Sequence, residues 1–224
     1  MNHLTLIPEI AEDYFRFIEA KEFPCIGAKA ALGKDQIRVL VAGHMACPKD
    51  DHDILKFLFT FVDDYRQSGD LYNSAVIIFK DPVDLTEDKF ETLFWSRIQA
   101  ISDLDSKQYP YDQRVKHDPA AVEYSFSLKE EAFYLIGLYP GSSRPARRFR
   151  YPAIVFNPHS QFDKLRELNK FETMKQFIRN RDIRYSGSVN PMMADFGVAS
   201  EATQYTGQQY NQDWKCPFIS HHES

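Results

Sequence analysis

The chain is poor in cysteine, in glycine and in positive charge, and each shortage closes off a class of protein. Cys25, Cys47 and Cys216 are an odd number with no CxxC pair among 224 residues. That argues against a secreted disulfide framework or a zinc ribbon and fits a reducing cytoplasm. Nine glycines give neither the GxGxxG spacing of a dinucleotide site nor a P-loop ending in Lys-Ser/Thr. No HExxH or paired Glu-xx-His pattern is present, which disfavours a non-haem di-iron centre. No run approaches the roughly 18 apolar residues of a membrane span, and the first residues form no continuous apolar segment of a signal peptide. Lys and Arg number 27 against 32 Asp and Glu, so the net charge of -5 speaks against sequence-independent binding of nucleic acid. These absences predict a soluble cytoplasmic protein that binds neither membrane nor nucleic acid.

What remains suffices for one substantial core: 43% of residues are hydrophobic, and neither repeats nor a linker divide the chain, so residues 1–224 are expected to form one domain. The 18 Phe and 12 Tyr raise the aromatic content to 14%, which suits a pocket for a large flat ligand. Apolar residues at Ile10, Tyr14, Phe15 and Ile18 predict a helix that Pro24 and Gly27 should break. Residues 36–42 and 75–79 read as strands on either side of a helix over 54–65, with Asp53 as its cap. Asp84 or Thr86 caps a further helix carrying Phe90, Leu93, Phe94, Ile98 and Ile101. The polar stretch 102–121 is long enough to be a flap or a mobile segment. Strands over 123–128 and 132–138, turning at 129–131, form a hairpin, and a third strand covers 153–156. One helix then spans 161–179 with Phe162, Leu165, Leu168, Phe171, Met174, Phe177 and Ile178 inward, followed by an aperiodic tail. A hairpin beside βα segments predicts an α+β (mixed α/β) domain, a central mixed sheet with packed helices.

The chemically capable residues concentrate between Ala132 and Ser200. Arg144, Arg147, Arg148 and Arg150 share the loop GSSRPARRFR with backbone and hydroxyl donors, an arrangement that suits phosphates or carboxylates or is simply a solvated basic loop. His159 follows a strand and precedes a helix, where sites commonly form, as ligand, base or structural residue; Asn157 and Gln161 stand ready to orient its ring. Asp195-Phe196-Gly197 imitates a kinase signature without the kinase's other motifs, so Asn190, Asp195, Ser200 and Glu201 read as polar contacts or as a hydrogen-bonded surface loop. Cys25 and Cys216 adjoin aromatic residues and proline, the setting of buried thiols, though a thiolate ligand to haem is conceivable.

The blocks FPCIGAKAA, GLYPGSSRPARRF, FNPHSQFDKLR, NPMMADFG, SEATQY and WKCPF resemble, in order and over nearly the whole chain, the YqcI/YcgG family. That resemblance implies a haem-dependent N-hydroxylase of natural-product biosynthesis acting on a guanidino compound, arginine or a guanidine derived from it. Carried over by position, His159 becomes the iron ligand, with Cys25 and Cys216 as the thiolate alternatives. Tyr139 stands where relatives are expected to carry histidine. Haem b would need cationic partners for its propionates, an apolar slot and a polar side for the substrate. Residues of this chain that would meet those needs are Arg144, Arg147 and Arg148 for the propionates, Phe149, Phe156, Phe162 and Trp214 for the slot, and Asp195 and Glu201 for the guanidinium. Dioxygen with electrons from a separate reductase, or peroxide in their place, would supply the oxygen. Two other readings stay open: a haem-binding or haem-sensing protein without turnover, and a cofactor-free module whose arginine loop binds an anion.

Overall fold

Short, unbroken apolar runs build a five-stranded sheet whose two faces are both covered. The computed structural model describes residues 3–222, and from residue 8 onward the side chains as well. The strands are β1 (Ile37–His44), β2 (Ser74–Asp81), β3 (Phe126–Leu128), β4 (Glu131–Leu138) and β5 (Ala153–Pro158), in the order β1-β2-β5-β4-β3. β1 and β2 are parallel, with Val39 opposite Val76, and the other pairs are antiparallel. This is the expected mixed α+β architecture in one compact domain.

The period of two sorts the strand residues cleanly between the faces. Ala75, Ile77, Phe79, Phe133, Leu135, Ile154 and Phe156 point to one side, where α3 (Asp51–Ser68) and α4 (Glu87–Asp105) supply Leu58, Phe61, Phe90, Phe94 and Ile98. Val76, Ile78, Leu138, Ala153 and Val155 point to the other, met by Ile10, Tyr14 and Ile18 of α1 (His3–Glu19) and by Ala31 of α2 (Ile26–Gly33). α5 (Ser160–Glu167), α6 (Phe171–Ser186) and the single turn α7 (Ala202–Tyr205) complete the fold.

Several boundaries differ from those expected, each for a local reason. Gly27 does not break a helix: α1 stops at Glu19, and Gly27 lies in the first turn of α2, which Cys25 caps by accepting the Ala28 N–H at Sγ. Asp50, one turn earlier than Asp53, occupies the N-cap position of α3, while Thr86 caps α4 as one of the two residues proposed. The β3–β4 turn needs only Lys129 and Glu130, both left-handed at φ 52° and 57°, so Glu131 already belongs to β4. β3 starts at Phe126, because Tyr124 makes only an isolated bridge to Lys116. The helix expected over 161–179 is two helices, parted at Leu168–Lys170 where Asn169 turns left-handed at φ 54°; Leu168 and Phe177 are about half exposed instead of inward.

The stretch after α4 is not a flap. Tyr111 is buried and donates its hydroxyl to the Ser125 carbonyl, while Asp112 accepts the Ala132 N–H and the guanidinium of Arg114. Those bonds fasten it beneath the hairpin.

Candidate functional site

Below the sheet face that carries Tyr134, Ile136 and Val155, the short helices α5 and α6 leave space that the core does not fill. A cavity of about 270 Å³ there is lined mainly by apolar atoms, with Cys25, Tyr134, Arg144, Arg147, Phe162 and Asp182 among its walls. A second recess of about 180 Å³ holds His159, Glu201, Asp195 and Phe196. The two share Tyr134, Phe162, Met174, Ile178 and Met193, so they form two ends of one region under α6.

Arg147 explains much of this geometry. Its side chain is buried, yet its guanidinium meets only main-chain oxygens: Nη1 donates to Tyr205 O at 2.5 Å and Gly137 O at 3.4 Å, and Nη2 to Gln204 O at 2.7 Å. Among the described residues no carboxylate forms an ion pair with it, and burial draws its pKa below the ordinary arginine value. A buried cation bonded only to main-chain dipoles keeps its net charge, and this one lines the cavity with Asp182 acting on it through space and not by a direct pair. Gly207, at φ 81°, makes this placement possible, since a Cβ there would overlap the Arg147 side chain. Arg144 reaches the same cavity but is already paired, at 2.6 Å to Asp182 Oδ2 and 2.9 Å to Ser188 O.

His159 follows β5, fixed by its backbone N–H on Ala132 O at 2.7 Å. Its ring is buried, lies against Phe162 and Phe196, and presents Nε2 to Glu201 Oε1 at 3.3 Å. The other Glu201 oxygen accepts the Tyr205 hydroxyl at 3.3 Å. Glu201, and neither Asn157 nor Gln161, therefore orients the imidazole. Asn157 accepts from Ser74 and donates to Tyr134 O, and Gln161 donates to Asn73 O.

The remaining expected site residues divide. Phe162 lines both recesses. Asp195 borders the second but is half exposed and paired with Lys175 and Arg179. Arg148 is exposed and folds back on the Ser142 carbonyl at 3.0 Å, away from the cavity. Phe149 is buried between Tyr14 and Phe17 of α1. Phe156 packs on Phe126 and Phe133 on the opposite sheet face, because its position in β5 is odd relative to Val155. Trp214 stacks on Tyr210 and donates to Glu91, also on that far side. Arg148, Phe149, Phe156 and Trp214 thus do not line the region. Ser200 bonds the Pro119 carbonyl, whereas buried Asn190 lines the cavity with its Oδ1 on the Met192 N–H.

Tyr139, where a histidine was expected in relatives, stacks on Phe90 and donates to Glu87 Oε1 at 2.9 Å, outside both recesses. Cys25 lines the cavity beside both arginines, and burial pushes its thiol up; burial also pushes Cys216, near Trp214, up to about 12. Sequence reasoning missed Tyr134, Asp182 and Tyr205. Only Tyr134 left a trace, as a polar-tipped ring within the run AFYLIGL.

The profile of the YqcI/YcgG family matches residues 14–219. The chain is 29% identical over 210 residues to "Uncharacterized protein YcgG" of Bacillus subtilis (strain 168), covering 89% of this chain and 82% of that protein. It is 26% identical over 223 residues to "Uncharacterized protein YqcI" of the same organism, covering 92% and 87%. No solved structure matches.

Proposed function

The chain belongs to the YqcI/YcgG family, and we propose that it is a haem-dependent monooxygenase that N-hydroxylates a guanidino compound, arginine or a guanidine derived from it. The observation that carries this reading is the apolar region under α6, with a buried arginine lacking a carboxylate partner at one end and a histidine–glutamate pair at the other.

The residues fit the group in kind. Arg147, with Arg144 beside it, offers guanidinium donors to carboxylates such as propionates. Tyr134 and Phe162 offer ring faces along the shared wall. Haem, when bound, would supply oxygen activation, chemistry that side chains lack. The protein's part is to hold the guanidine and exclude water. Glu201 suits the first task better than Asp195 by burial, where a carboxylate–guanidinium pair is least screened: its present partners, His159 and the Tyr205 hydroxyl, stand at 3.3 Å, whereas Asp195 is half exposed and paired with two cations. His159 is the ligand favoured by this reading, its ring orientation fixed by Glu201 in the manner of supported metal ligands. Cys25 is the second candidate, because its sulfur lies at the N-terminus of α2 in the same cavity as the arginines.

The test is an absorption spectrum of protein produced with ample haem precursor, recorded ferric, ferrous and ferrous-CO, with and without arginine, alongside His159→Ala and Cys25→Ser. A histidine-type spectrum shifted by arginine and lost in His159→Ala, with N-hydroxyarginine found by mass spectrometry, supports the proposal. A thiolate-type spectrum lost in Cys25→Ser transfers the ligand role to Cys25. A spectrum without product identifies a haem-binding protein without turnover, and failure to take up haem refutes the reading.

A further inference from the structure

Both tryptophans of the chain, Trp95 and Trp214, lie on one line of oxidisable rings that starts at the candidate site. Tyr134 borders both recesses. Its ring centroid is 5.7 Å from that of Tyr205, which is 6.1 Å from Trp95, which is 6.3 Å from Trp214. Trp214 stacks at 4.0 Å on Tyr210, and both rings of that last pair are only partly buried. The line therefore runs from the cavity to the partly buried Trp214–Tyr210 pair in steps of 6.3 Å or less between ring centroids.

Core aromatic rings touch in any protein this rich in them, but here a carboxylate also stands beside Tyr205 and another beside Trp214, while the buried Trp95 N–H between them has no partner among the described residues. Oxidation of a phenol at moderate potential requires that its proton leave with the electron. Tyr205 is buried, and its hydroxyl lies between two acceptors, the Phe133 carbonyl at 3.2 Å and Glu201 Oε2 at 3.3 Å, of which the carboxylate is the one able to take that proton. At the far end the Trp214 Nε1–H donates to Glu91 Oε1 at 2.8 Å, and the Tyr210 hydroxyl is 2.6 Å from Thr206 Oγ1. Phe94 and Phe218 flank Trp95 at 5.2 Å and 6.5 Å, rings that are far harder to oxidise than those of the line.

We propose that Tyr205, Trp95, Trp214 and Tyr210 form a hole-transfer line that drains strongly oxidising equivalents from the site to the surface. In each step a one-electron oxidant in the recess takes one electron, across the Tyr134 ring that borders it, from Tyr205 behind that ring, and the Tyr205 proton passes to Glu201. Trp95 then reduces the tyrosyl radical, which recovers its proton from Glu201, and the deficit moves on to Trp214 and Tyr210. There a soluble one-electron reductant, such as ascorbate or a thiolate, refills it. Two such transfers with two protons reduce one peroxide to two waters, so the site is spared when oxidant is present without substrate. This use rests on the oxidative reading of the site; the line itself does not.

The experiment therefore needs no haem. The full-length Tyr210→Phe protein is flashed with a ruthenium tris-bipyridine photo-oxidant and an electron-accepting quencher, and radicals are followed by transient absorption and electron paramagnetic resonance. An indole radical should form first and give way to a tyrosyl radical that added ascorbate does not quench, because Tyr205 is buried. That tyrosyl signal should vanish when Trp95→Phe or Tyr205→Phe is added and persist when Tyr14→Phe, a buried tyrosine off the line, is added instead. Circular dichroism checks the folding of each variant, and Tyr205→Phe keeps the ring where Trp95→Phe shrinks one. An ascorbate-resistant signal unchanged by both added substitutions, or no such signal in Tyr210→Phe, overturns the proposal. A chain that takes up no haem yet shows the signal would refute the proposed function and leave the line standing.

Discussion

Replacing Arg147 by lysine keeps the buried charge and removes the fork, so it isolates what the guanidinium geometry contributes. The fork spans two consecutive carbonyls, Gln204 O at 2.7 Å and Tyr205 O at 2.5 Å, and so fixes the end of α7 against β4. A lysine ammonium on a flexible stem satisfies one of these and leaves the other without its charged donor. Loss of one charge-assisted hydrogen bond in a buried setting costs about 1.5–3 kcal/mol. At this chain length each kcal/mol lowers the melting temperature by about 2–4 °C, which places the expected fall at about 3–12 °C. Differential scanning fluorimetry, repeated as a urea titration by circular dichroism, measures it. Arg148→Lys is the internal control: that arginine is exposed, and such substitutions stay within about 0.5 kcal/mol. Because Arg147 also faces the cavity, haem titrated into Arg147→Lys should bind more weakly than into Arg148→Lys. Equal melting temperatures for Arg147→Lys and wild type would show that the carbonyl contacts do not hold α7, and the argument from a dipole-solvated buried cation would fall with them.

Gly137→Ala should cost about 1–3 kcal/mol by overpacking, since its Cβ would stand 2.6 Å from Phe90 Cε1; an unchanged urea midpoint would refute that crowding. Burial pushes the Asp112 carboxyl up, but hydrogen bonds from the Arg114 side chain and backbone and from the Ala132 N–H outweigh it and hold the pKa below the ordinary carboxylate value. The stability Asp112 contributes is accordingly full above the unfolded-state value and lost as pH falls through the folded one. Urea midpoints measured from about pH 6 down to about pH 3 should decline less steeply in Asp112→Asn than in wild type, and parallel curves would count against the assignment. Cys25 and Cys216 are partly buried, and desolvation keeps both thiols protonated, so they should react slowly with iodoacetamide at neutral pH until the protein is unfolded, as read by intact mass. Labelling of either thiol in the native protein as fast as in the unfolded chain would contradict that desolvation.

The layers of this protein were legible in its residue pattern. The unbroken apolar runs AVIIF and AIVF call for strands covered on both faces, and the strand period of two with the three- and four-residue spacing in α3 and α4 dictates which side chains point to which cover, because those periods are properties of the backbone. The same patterns located His159 at a strand end and Arg144 and Arg147 in a tight loop. They failed where a local conformation, not a period, decides: the left-handed Asn169 splits a helix whose apolar spacing continues across the break. Membership of the site was a tertiary matter. Phe156 and Val155 are neighbours in sequence and lie on opposite faces of the sheet, so an aromatic residue beside His159 was no guide to what lines the cavity. Glu201 reaches His159 across 42 positions, and Asp182 reaches Arg144 across 38, contacts that exist only once α6 and α7 have closed over the sheet. Local chemistry chose the candidate residues, and long-range closure chose which of them share a site, because pairing of distant charges depends on packing that no short window encodes.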